Sequence, residues 1–450
     1  MKYTKLIAAL ALACALAACA QKYDDEKDFQ SERIEGGEGA RVTGYWGSRQ
    51  EIRIPPKIDK APVTAIGPEA FYEMNLTAVV IPMGVTVIGD SAFAKNALSG
   101  AAIPDTVTEI GARAFAYNQL TSLTMSAKTA VIGAEAFAGN RLSHVTIPAG
   151  VTAIGTRAFA ENQLTNLTMV HSETAIGEEA FADNQLTKVV MGNKITAIGK
   201  KAFNNNKLTD IVIANSVTEI AESAFSNNQL TSVTLGTGVT IIRYAAFAGN
   251  RLTGVVIPDS VTTIRERAFH ANQIASLTIG NRVNVIGEDA FSNNQLTSVV
   301  IPDSVTIIGE NAFGGNQLTT AALGGGVTTI RYAAFAHNKL TSVTMGNKVT
   351  TIGEEAFTGN QLTAIVIPDS VTGIGDYAFS NNKLASVTVG SGVTSIRYAA
   401  FAGNELTSIT IGADVAVWTS AFDNGFAGFY AAQGRAAGTY TYSENQWRRN

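Results

Sequence analysis

Cysteine is almost absent from this chain of 450 residues, which contains only Cys14 and Cys19. No Cys-x-x-Cys pair, Ser-His-Asp spacing or phosphate-binding loop occurs. Short glycine strings such as Gly324-Gly325-Gly326 belong to a repeating turn and do not indicate a phosphate site. The sequence therefore predicts a protein that is not an enzyme and that has neither a cofactor nor a small-molecule substrate.

Charged residues are also scarce. They make up 16% of the chain, the formal net charge is −4 and the isoelectric point is near 5.7. Lys and Arg form no basic stripe, which a protein needs in order to hold a phosphate backbone. Nucleic acid is therefore not an expected partner.

What the chain has instead is a unit of 22 residues repeated sixteen times, of which Phe225–Ala246 is a clean copy. Its Phe recurs in fixed phase from Phe71 to Phe401, always after Ala. Asn follows three residues later except at Met74, and Leu two residues after that except at Ile274. A further apolar position, an Ile, lies seventeen residues after the Phe. A fixed period of this length predicts one elongated solenoid with caps rather than three separate domains.

Within each unit, Leu230, Val233 and Leu235 show the L-x-x-L-x-L spacing of a leucine-rich repeat, with a strand over the second and third apolar positions. After the strand comes Gly236 in one repeat and Pro258 at the same position of the next. Because Pro has no N–H group to donate to a sheet, the strand should end there. One unit cannot bury its own apolar face, but stacked units can, at a spacing of roughly 4.8 Å. The unit therefore predicts a parallel sheet with one strand from each repeat.

The Phe and Asn columns predict two buried ladders. Each Phe would stack on the Phe above and below, and the Ala beside it leaves room for a close backbone approach. Each Asn offers two donors and an acceptor oxygen to unpaired backbone groups of the turn. Because an unpaired buried polar group costs about 1–3 kcal/mol, these Asn residues require partners. The Ile that recurs seventeen residues after the Phe is called the column Ile. The position directly after it, its slot, holds Gly287 in one unit and Arg243 in another, so we do not expect this position to need a positive φ.

The pattern L-T-x-V-x-I-P-x-x-V-T-x-I-G-x-x-A-F-x-x-N resembles the BspA-like, treponemal-type leucine-rich repeats of bacteria, and residues 63–422 match it. The flanks Tyr45-Trp46-Gly47-Ser48 and Gly438-Thr439-Tyr440-Thr441-Tyr442 also resemble such proteins. Members commonly carry Cys where this chain has Asn, a difference that affects packing and not the fold class. The resemblance implies an α/β, β-rich solenoid, coiled right-handedly, on a bacterial surface lipoprotein.

Residues 1–19 read as a lipoprotein signal peptide. Lys2 and Lys5 precede the apolar segment Leu6–Leu16, which is too short to serve as a permanent membrane span. This segment is therefore set aside from the fold.

The tetrapeptide Leu16-Ala17-Ala18-Cys19 resembles the lipobox of bacterial lipoproteins, in which the Cys thiol is acylated and becomes the new N-terminus. The alternative is an ordinary secretory signal with an incidental cysteine. Because Cys14 lies inside the apolar segment, that alternative leaves Cys19 as a lone free thiol in an exported protein. Ala20, in place of Asp, implies sorting to the outer membrane by the family rule. We therefore expect lipidation at Cys19.

The remaining segments predict a tether and two caps around the solenoid of residues 63–411. Residues 20–32 are polar and charged, and we expect a flexible tether. Residues 33–62 have the pattern of a β hairpin that caps the first repeat, since an uncapped end would expose strand edges. In residues 412–450 the period breaks and aromatic residues gather. These aromatics are expected to cover the end of the core, with a binding patch as the alternative.

Metal binding is not expected. The histidines His144, His171, His270 and His337 occupy different positions in their units. The pair closest in phase, His270 and His337, lies three repeats apart, too far at roughly 4.8 Å per repeat to share an ion.

Two side chains of each predicted strand point outward, and these form a long face of Ser, Thr and Val that is poor in charge. Its one run of varied polar residues lies on four successive strands and comprises His144, Asn166, Lys188 and Asp210. These are the candidate binding residues, since interfaces concentrate their energy in few side chains. Two alternatives stay open, namely β propensity for the Thr and Val and neutral drift for the polar run.

The sequence and the resemblance together predict a non-catalytic binding protein, lipid-anchored at the bacterial outer membrane or cell surface. Its expected partner is a protein of the host matrix, of a host cell or of another bacterium. The alternative is a structural envelope protein whose repeats self-associate as a coat. A hydroxyl lattice for glycan or ice is disfavoured because Val interrupts the Thr column.

Overall fold

A computed structural model of the protein describes residues 22–36, 39–169 and 173–450. Residues 1–19, which are predicted to be a signal peptide and include Cys19, and His171 lie outside the described residues. The chain divides into two compact units, before and after residue 173. Both units have the same architecture, a parallel-strand leucine-rich-repeat solenoid.

Each repeat contributes two short strands, which we call the front strand and the back strand. In the first unit the front strands are Glu51–Arg53, Ala78–Val80, Gly100–Ala102, Ser122–Thr124, His144–Ile147 and Asn166–Met169. The back strands are Ala61–Ile66, Val87–Ile88, Glu109–Ile110, Val131–Ile132 and Ala153–Ile154. Strands of one kind pair in parallel at the same phase of the repeat, as His144 does with Asn166.

The second unit continues this arrangement over more turns. Its front strands are Lys188–Val190, Asp210–Val212, Ser232–Thr234, Gly254–Val256, Ser276–Thr278, Ser298–Ile301, Thr320–Leu323, Ser342–Thr344, Ala364–Val366, Ser386–Thr388 and Ser408–Ile411. Its back strands are Ala175–Ile176, Ala197–Ile198, Glu219–Ile220, Ile241–Ile242, Thr263–Ile264, Val285–Ile286, Ile307–Ile308, Thr329–Ile330, Thr351–Ile352, Gly373–Ile374, Ser395–Ile396 and Ala416–Val417. The front strands confirm the predicted parallel sheet, whereas the back strands are an addition to it.

The Phe column forms a buried stack within each unit. Successive rings from Phe71 to Phe159 lie nearly parallel, with centroids 5.0–5.5 Å apart. In the second unit Phe225 lies 5.4 Å from the ring before it and 5.5 Å from the ring after it. Phe225 and the Ala before it, Ala224, are both fully buried. The predicted ladder is confirmed, and the small Ala is what lets the turns approach.

The Asn side chains form the hydrogen bonds that the backbone of the turn needs, between each Phe and the front strand that follows it. The Asn228 amide nitrogen donates to the carbonyls of Phe203 at 2.9 Å and Phe225 at 3.2 Å. Its carbonyl oxygen accepts from the Leu208 amide at 3.1 Å. The Phe225 carbonyl also accepts from Asn250 at 3.0 Å, so each such carbonyl lies between two Asn side chains. The predicted partners of the buried Asn residues are therefore the Phe carbonyls and the Leu amides of adjacent turns.

The segment around each Phe is a turn with two left-handed residues, one two positions before the Phe and one two positions after it. Around Phe269 these are Arg267, with φ 56°, and Ala271, with φ 53°. Such a pair cannot belong to an α-helix. In the described residues the only α-helix is Phe426–Ala432, outside the repeats, which accounts for the strongly β-rich composition of the solenoid. Gly287 and Arg243 are not among the left-handed residues, as the sequence predicts.

Ala271→Gly should stabilise the protein by about 0.5–1 kcal/mol, because a left-handed residue with a Cβ is strained and glycine is not. The measurement is chemical unfolding at equilibrium. Ala275→Gly is the matched control, since Ala275 is exposed in the same repeat and has no positive φ. We expect this control to lower stability by a similar amount. If both variants changed the free energy of unfolding in the same direction, the assignment of strain to Ala271 would be contradicted.

The N-terminal cap is a hairpin that continues the back strands. Phe29–Arg33 pairs antiparallel with Ala40–Tyr45, which runs parallel to Ala61–Ile66. Lys57–Ile58 pairs antiparallel with the start of Ala61–Ile66, and Glu26–Asp28 forms a 3₁₀ turn. The parallel pairing with Ala40–Tyr45 gives the first back strand a partner, so its edge is covered.

This cap takes in part of the segment expected to be a flexible tether, residues 20–32. Phe29 is buried, and its ring lies 5.1 Å from that of Tyr45 and 6.3 Å from that of Phe71. The segment is polar in overall composition, so the sequence does not indicate that Phe29 is buried. Its ring covers the end of the Phe stack.

The C-terminal cap covers the other end of the second unit. Ser408–Ile411 pairs antiparallel with Gly438–Ser443, which pairs with Gln446–Arg449. Phe426, on the helix Phe426–Ala432, packs edge-on against Phe422 at 5.1 Å. Tyr440 and Trp447 are buried around Phe426 as well. These aromatics line a core and are not free to form a binding patch.

The break in period beyond residue 411 is absorbed by the loss of one residue. Val417 takes the place of the column Ile opposite Ile396, and Trp418 turns outward with 56% of its surface exposed. Phe422 still stacks on Phe401 at 5.0 Å, although it arrives one residue early. The repeat geometry therefore extends to Phe422.

Candidate binding face

The front face is the surface formed by the outward side chains of the front strands. Burial alternates along each strand, as in Asp210–Val212, where Ile211 is buried between two exposed residues. Alternation of this kind follows from the pleat, which sends successive side chains to opposite sides. The inner residues join the core, and the outer ones are available to a partner.

Valines on the front face of the second unit are unusually exposed. The exposed fraction is 62% for Val212, 66% for Val256, 71% for Val300 and 67% for Val366. From Ser232 onward the two outward positions of each front strand in this unit carry no charged residue. The face is therefore flat, mildly apolar and rich in hydroxyl groups, as the sequence predicts.

The four candidate binding residues divide into two pairs, one in each unit. In the first unit, exposed His144 and Asn166 lie opposite each other in adjacent front strands. The His144 Nδ1 atom is 3.1 Å from the Ser143 hydroxyl, and the Asn166 amide donates to the Thr165 hydroxyl at 3.1 Å. These two side chains form one polar patch on the front face of the first unit.

Lys188 and Asp210 are the other pair, in the second unit. Each begins a front strand, and the two strands belong to consecutive repeats. Both side chains are exposed, and the Asp210 carboxylate accepts from the Thr209 hydroxyl at 3.1 Å. This pair therefore presents a positive and a negative charge on an otherwise uncharged face.

Charges elsewhere pair across the turns. Lys95 contacts Glu73 at 2.8 Å, Lys200 contacts Glu222 at 3.0 Å, and the hydrogen bond to Lys95 lowers the pKa of Glu73. These groups are exposed, so such pairs contribute little to stability. The pKa of buried Tyr430 is raised because burial disfavours the phenolate. Each of these shifts has a structural cause, and none indicates a catalytic group.

Two features are absent from residues 22–36, 39–169 and 173–450. No group of three or more His, Cys, Asp or Glu side chains is placed to hold a metal ion. No helix in these ranges is long and apolar enough to cross a membrane.

Sequence reasoning missed one group of exposed residues, on the turns that follow the back strands. The motif I-R-Y-A-A-F occurs three times, and it leaves Tyr244, Tyr332 and Tyr398 about two-fifths exposed. A signal was available, because a bulky Arg-Tyr pair replaces the Gly and acidic residues of the neighbouring units.

The sequence matches the family model of the BspA type leucine-rich repeat region. The matched ranges overlap and together run from residue 64 to residue 425, well over half of the chain. The chain belongs to this family, whose members are surface-associated and often take part in binding. Leucine-rich-repeat solenoids in general bind other proteins and are typically not enzymes.

The chain is also similar to several solved structures. A leucine-rich repeat protein from Bacteroides ovatus is 22% identical, with a TM-score of 0.43, over 85% of this chain and 92% of its own. A leucine rich cell surface protein from Faecalibacterium prausnitzii is 23% identical, with a TM-score of 0.34, over 87% and 94%. The pneumococcal vaccine antigen PcpA is 18% identical, with a TM-score of 0.35, over 88% and 89%. No curated protein matches the chain.

Proposed function

We propose that the protein is a non-catalytic binding protein that docks another protein on its front face. The observation that carries this proposal is the front face of each unit, a regular, solvent-exposed surface with little charge and one polar pair. A solenoid face of this kind offers many shallow contacts, and a few distinctive side chains then select the partner. The adhesin-like partners implied by the family are proteins of a host matrix, a host cell or another bacterium.

Specificity would come from His144 and Asn166 in the first unit and from Lys188 and Asp210 in the second. Elsewhere the same column of the front face carries mostly Ser, Gly, Ala or Thr, which discriminate poorly between partners. Changing all four residues to Ser restores the usual residue of that column, so the variant should fold normally. After a partner has been captured with the purified protein, we expect this variant to bind it at least tenfold more weakly, about 1.4 kcal/mol.

The measurement is the dissociation constant for the captured partner, and unfolding curves confirm that the variant is intact. The matched control changes Thr234, Thr278, Thr344 and Thr388 to Ser, which alters the same face but keeps its hydroxyl groups. Unchanged affinity in the first variant would remove these four residues from the binding site.

The proposed location is the bacterial outer membrane, with the protein held at the cell surface by a lipid on Cys19. The residues that support this are the lipobox-like tetrapeptide before Cys19 and the short apolar segment Leu6–Leu16. A single acyl chain binds a membrane only marginally, so stable anchoring would need the multiple chains that lipoprotein processing attaches.

Cys19→Ala should release the protein from the membrane fraction, because the segment Leu6–Leu16 cannot act as a permanent span. Metabolic labelling with a radioactive fatty acid, followed by fractionation, measures both the acylation and the release. Cys14→Ala is the control and should remain labelled and membrane-bound. Label retained in the Cys19→Ala variant would contradict the proposed anchor.

A second candidate function is a coat protein whose front faces pack against each other. The exposed valines of the second unit favour it, since an uncharged face with Val256 and Val300 outward does not repel its own copy. Sedimentation of the lipid-free protein separates the two candidates. A docking protein stays monomeric at micromolar concentration, whereas a coat protein associates and is dispersed by Val256→Lys with Val300→Lys.

A further inference from the structure

We propose that the turns of the second unit carry a separate carbohydrate-binding site, formed between two of the I-R-Y-A-A-F motifs. The site lies on three back strands, Thr351–Ile352, Gly373–Ile374 and Ser395–Ile396, and on the turns that follow them, so it is independent of docking on the front face. Its centre is a groove of about 390 Å³, within the size range of ligand pockets. We call it the turn groove.

The turn groove exists because side chains are missing from its floor. The slot after the column Ile is glycine in two consecutive repeats, at Gly353 and Gly375. The repeats before and after carry Arg331 and Arg397 in this slot. At this slot, two turns without a side chain therefore lie between two turns with an arginine, and Arg397 lines the groove at one end.

The lining offers both donors and acceptors of hydrogen bonds. Glu354 and Asp376 supply carboxylates, Arg397 supplies a guanidinium, and hydroxyl groups come from Thr351, Thr372, Thr394 and Ser395. The Arg397 guanidinium and the Glu354 carboxylate have no partner among the residues that the structure describes. One Asp376 oxygen accepts from the Tyr398 amide at 3.1 Å, and the other has no partner within that same set.

Two exposed tyrosines follow lining residues in the sequence, although neither itself lines the turn groove. Tyr377 follows Asp376, Tyr398 follows Arg397, and their rings meet edge to face with centroids 5.3 Å apart. Tyr377 also lines a second groove of about 230 Å³, together with His337, Glu355 and Asn381. The tyrosine pair is therefore next in sequence to the turn groove, and its member Tyr377 lines the groove at His337.

This combination fits a short neutral oligosaccharide. The C–H face of a pyranose packs on a tyrosine ring, and its hydroxyl groups both donate and accept. A lipid or other apolar ligand does not suit such a polar lining, and a polyanion would meet Glu354 and Asp376. A cationic peptide would gain from these carboxylates but would be repelled by Arg397. Neutral hydroxyl groups use all of these side chains at once.

The test is titration of the purified full chain with cellotriose, maltotriose and mannotriose, followed by saturation-transfer NMR and calorimetry. We expect at least one of them to bind with a dissociation constant of about 1 mM or tighter. Gly375→Arg fills the groove with the residue that the chain itself carries in this slot at Arg331 and Arg397. This variant should weaken binding at least tenfold, about 1.4 kcal/mol.

Tyr398→Ala should weaken binding to a similar degree, and it decides the matter if Gly375→Arg does not fold. Tyr244→Ala is the matched control, since Tyr244 belongs to the same motif and is similarly exposed, but no residue of its motif lines the groove, whereas Arg397 beside Tyr398 does. This control should bind within about twofold of the parent. The proposal is overturned if none of the three sugars binds at about 10 mM, if Tyr398→Ala binds like the parent, or if pentalysine binds in their place.

Discussion

Phe225→Ala should lower the free energy of unfolding by about 3–5 kcal/mol, because it removes a fully buried ring from the middle of a stack. The rings of Phe203 and Phe247 lie 5.4 and 5.5 Å away, and each would lose its contact on one side. In a solenoid the stability is close to a sum of terms between neighbouring repeats. The damage should therefore begin locally.

Amide hydrogen exchange measures this locality. Exchange should quicken in the repeats around Phe225 and stay slow near Phe379, seven repeats further along in the same unit. Phe225→Leu is the control, since it keeps much of the apolar volume and should cost about 1–2 kcal/mol. Uniform acceleration along the whole unit would contradict the picture of coupling between neighbours only.

Asn228→Ala should cost about 2–6 kcal/mol, although it removes only one polar side chain. The Leu208 amide would lose its acceptor and remain buried without one, at about 1–3 kcal/mol. The carbonyls of Phe203 and Phe225 would each keep the hydrogen bond from one neighbouring Asn, Asn206 at 3.2 Å or Asn250 at 3.0 Å. Each of these two carbonyls adds the smaller cost of losing its second hydrogen bond, about 0.5–1.5 kcal/mol.

Equilibrium unfolding of Asn228→Ala and Asn228→Cys measures this effect. A thiol is a weak donor and a weak acceptor of nearly the same volume, so the Cys variant should be the milder of the two. Repeats of this family commonly carry Cys at the corresponding position. A loss below about 1 kcal/mol in the Ala variant would show that water satisfies the exposed backbone groups.

The ladders could be predicted from the sequence because they depend on residues one period apart. When Phe225 recurs at Phe247 in equivalent surroundings, stacking follows from the repeat, and so does the need for a partner at Asn228. The outward direction of Val256 follows from alternation within a strand. Neither inference requires knowledge of distant parts of the chain.

Apart from the exposed tyrosines of the I-R-Y-A-A-F motif, the features that sequence reasoning missed lack a local signal. Back strands such as Ile241–Ile242 are two residues long, too short to show alternation. The left-handed positions hold Arg267 and Ala271 rather than glycine, so composition does not reveal them. The burial of Phe29 depends on pairing with Ala40–Tyr45, and the division of the candidate site into two pairs depends on where the units part.

The measurement that tests the central proposal most directly is photo-crosslinking from defined positions. A photoreactive residue is placed at Ser298 on the front face or at Glu310 on the turns, and each protein is exposed to the partner captured by the parent. Both side chains are exposed. Docking on the front face predicts an adduct from Ser298 and none from Glu310. An adduct from Glu310 alone would place the partner on the turns and contradict the proposed function.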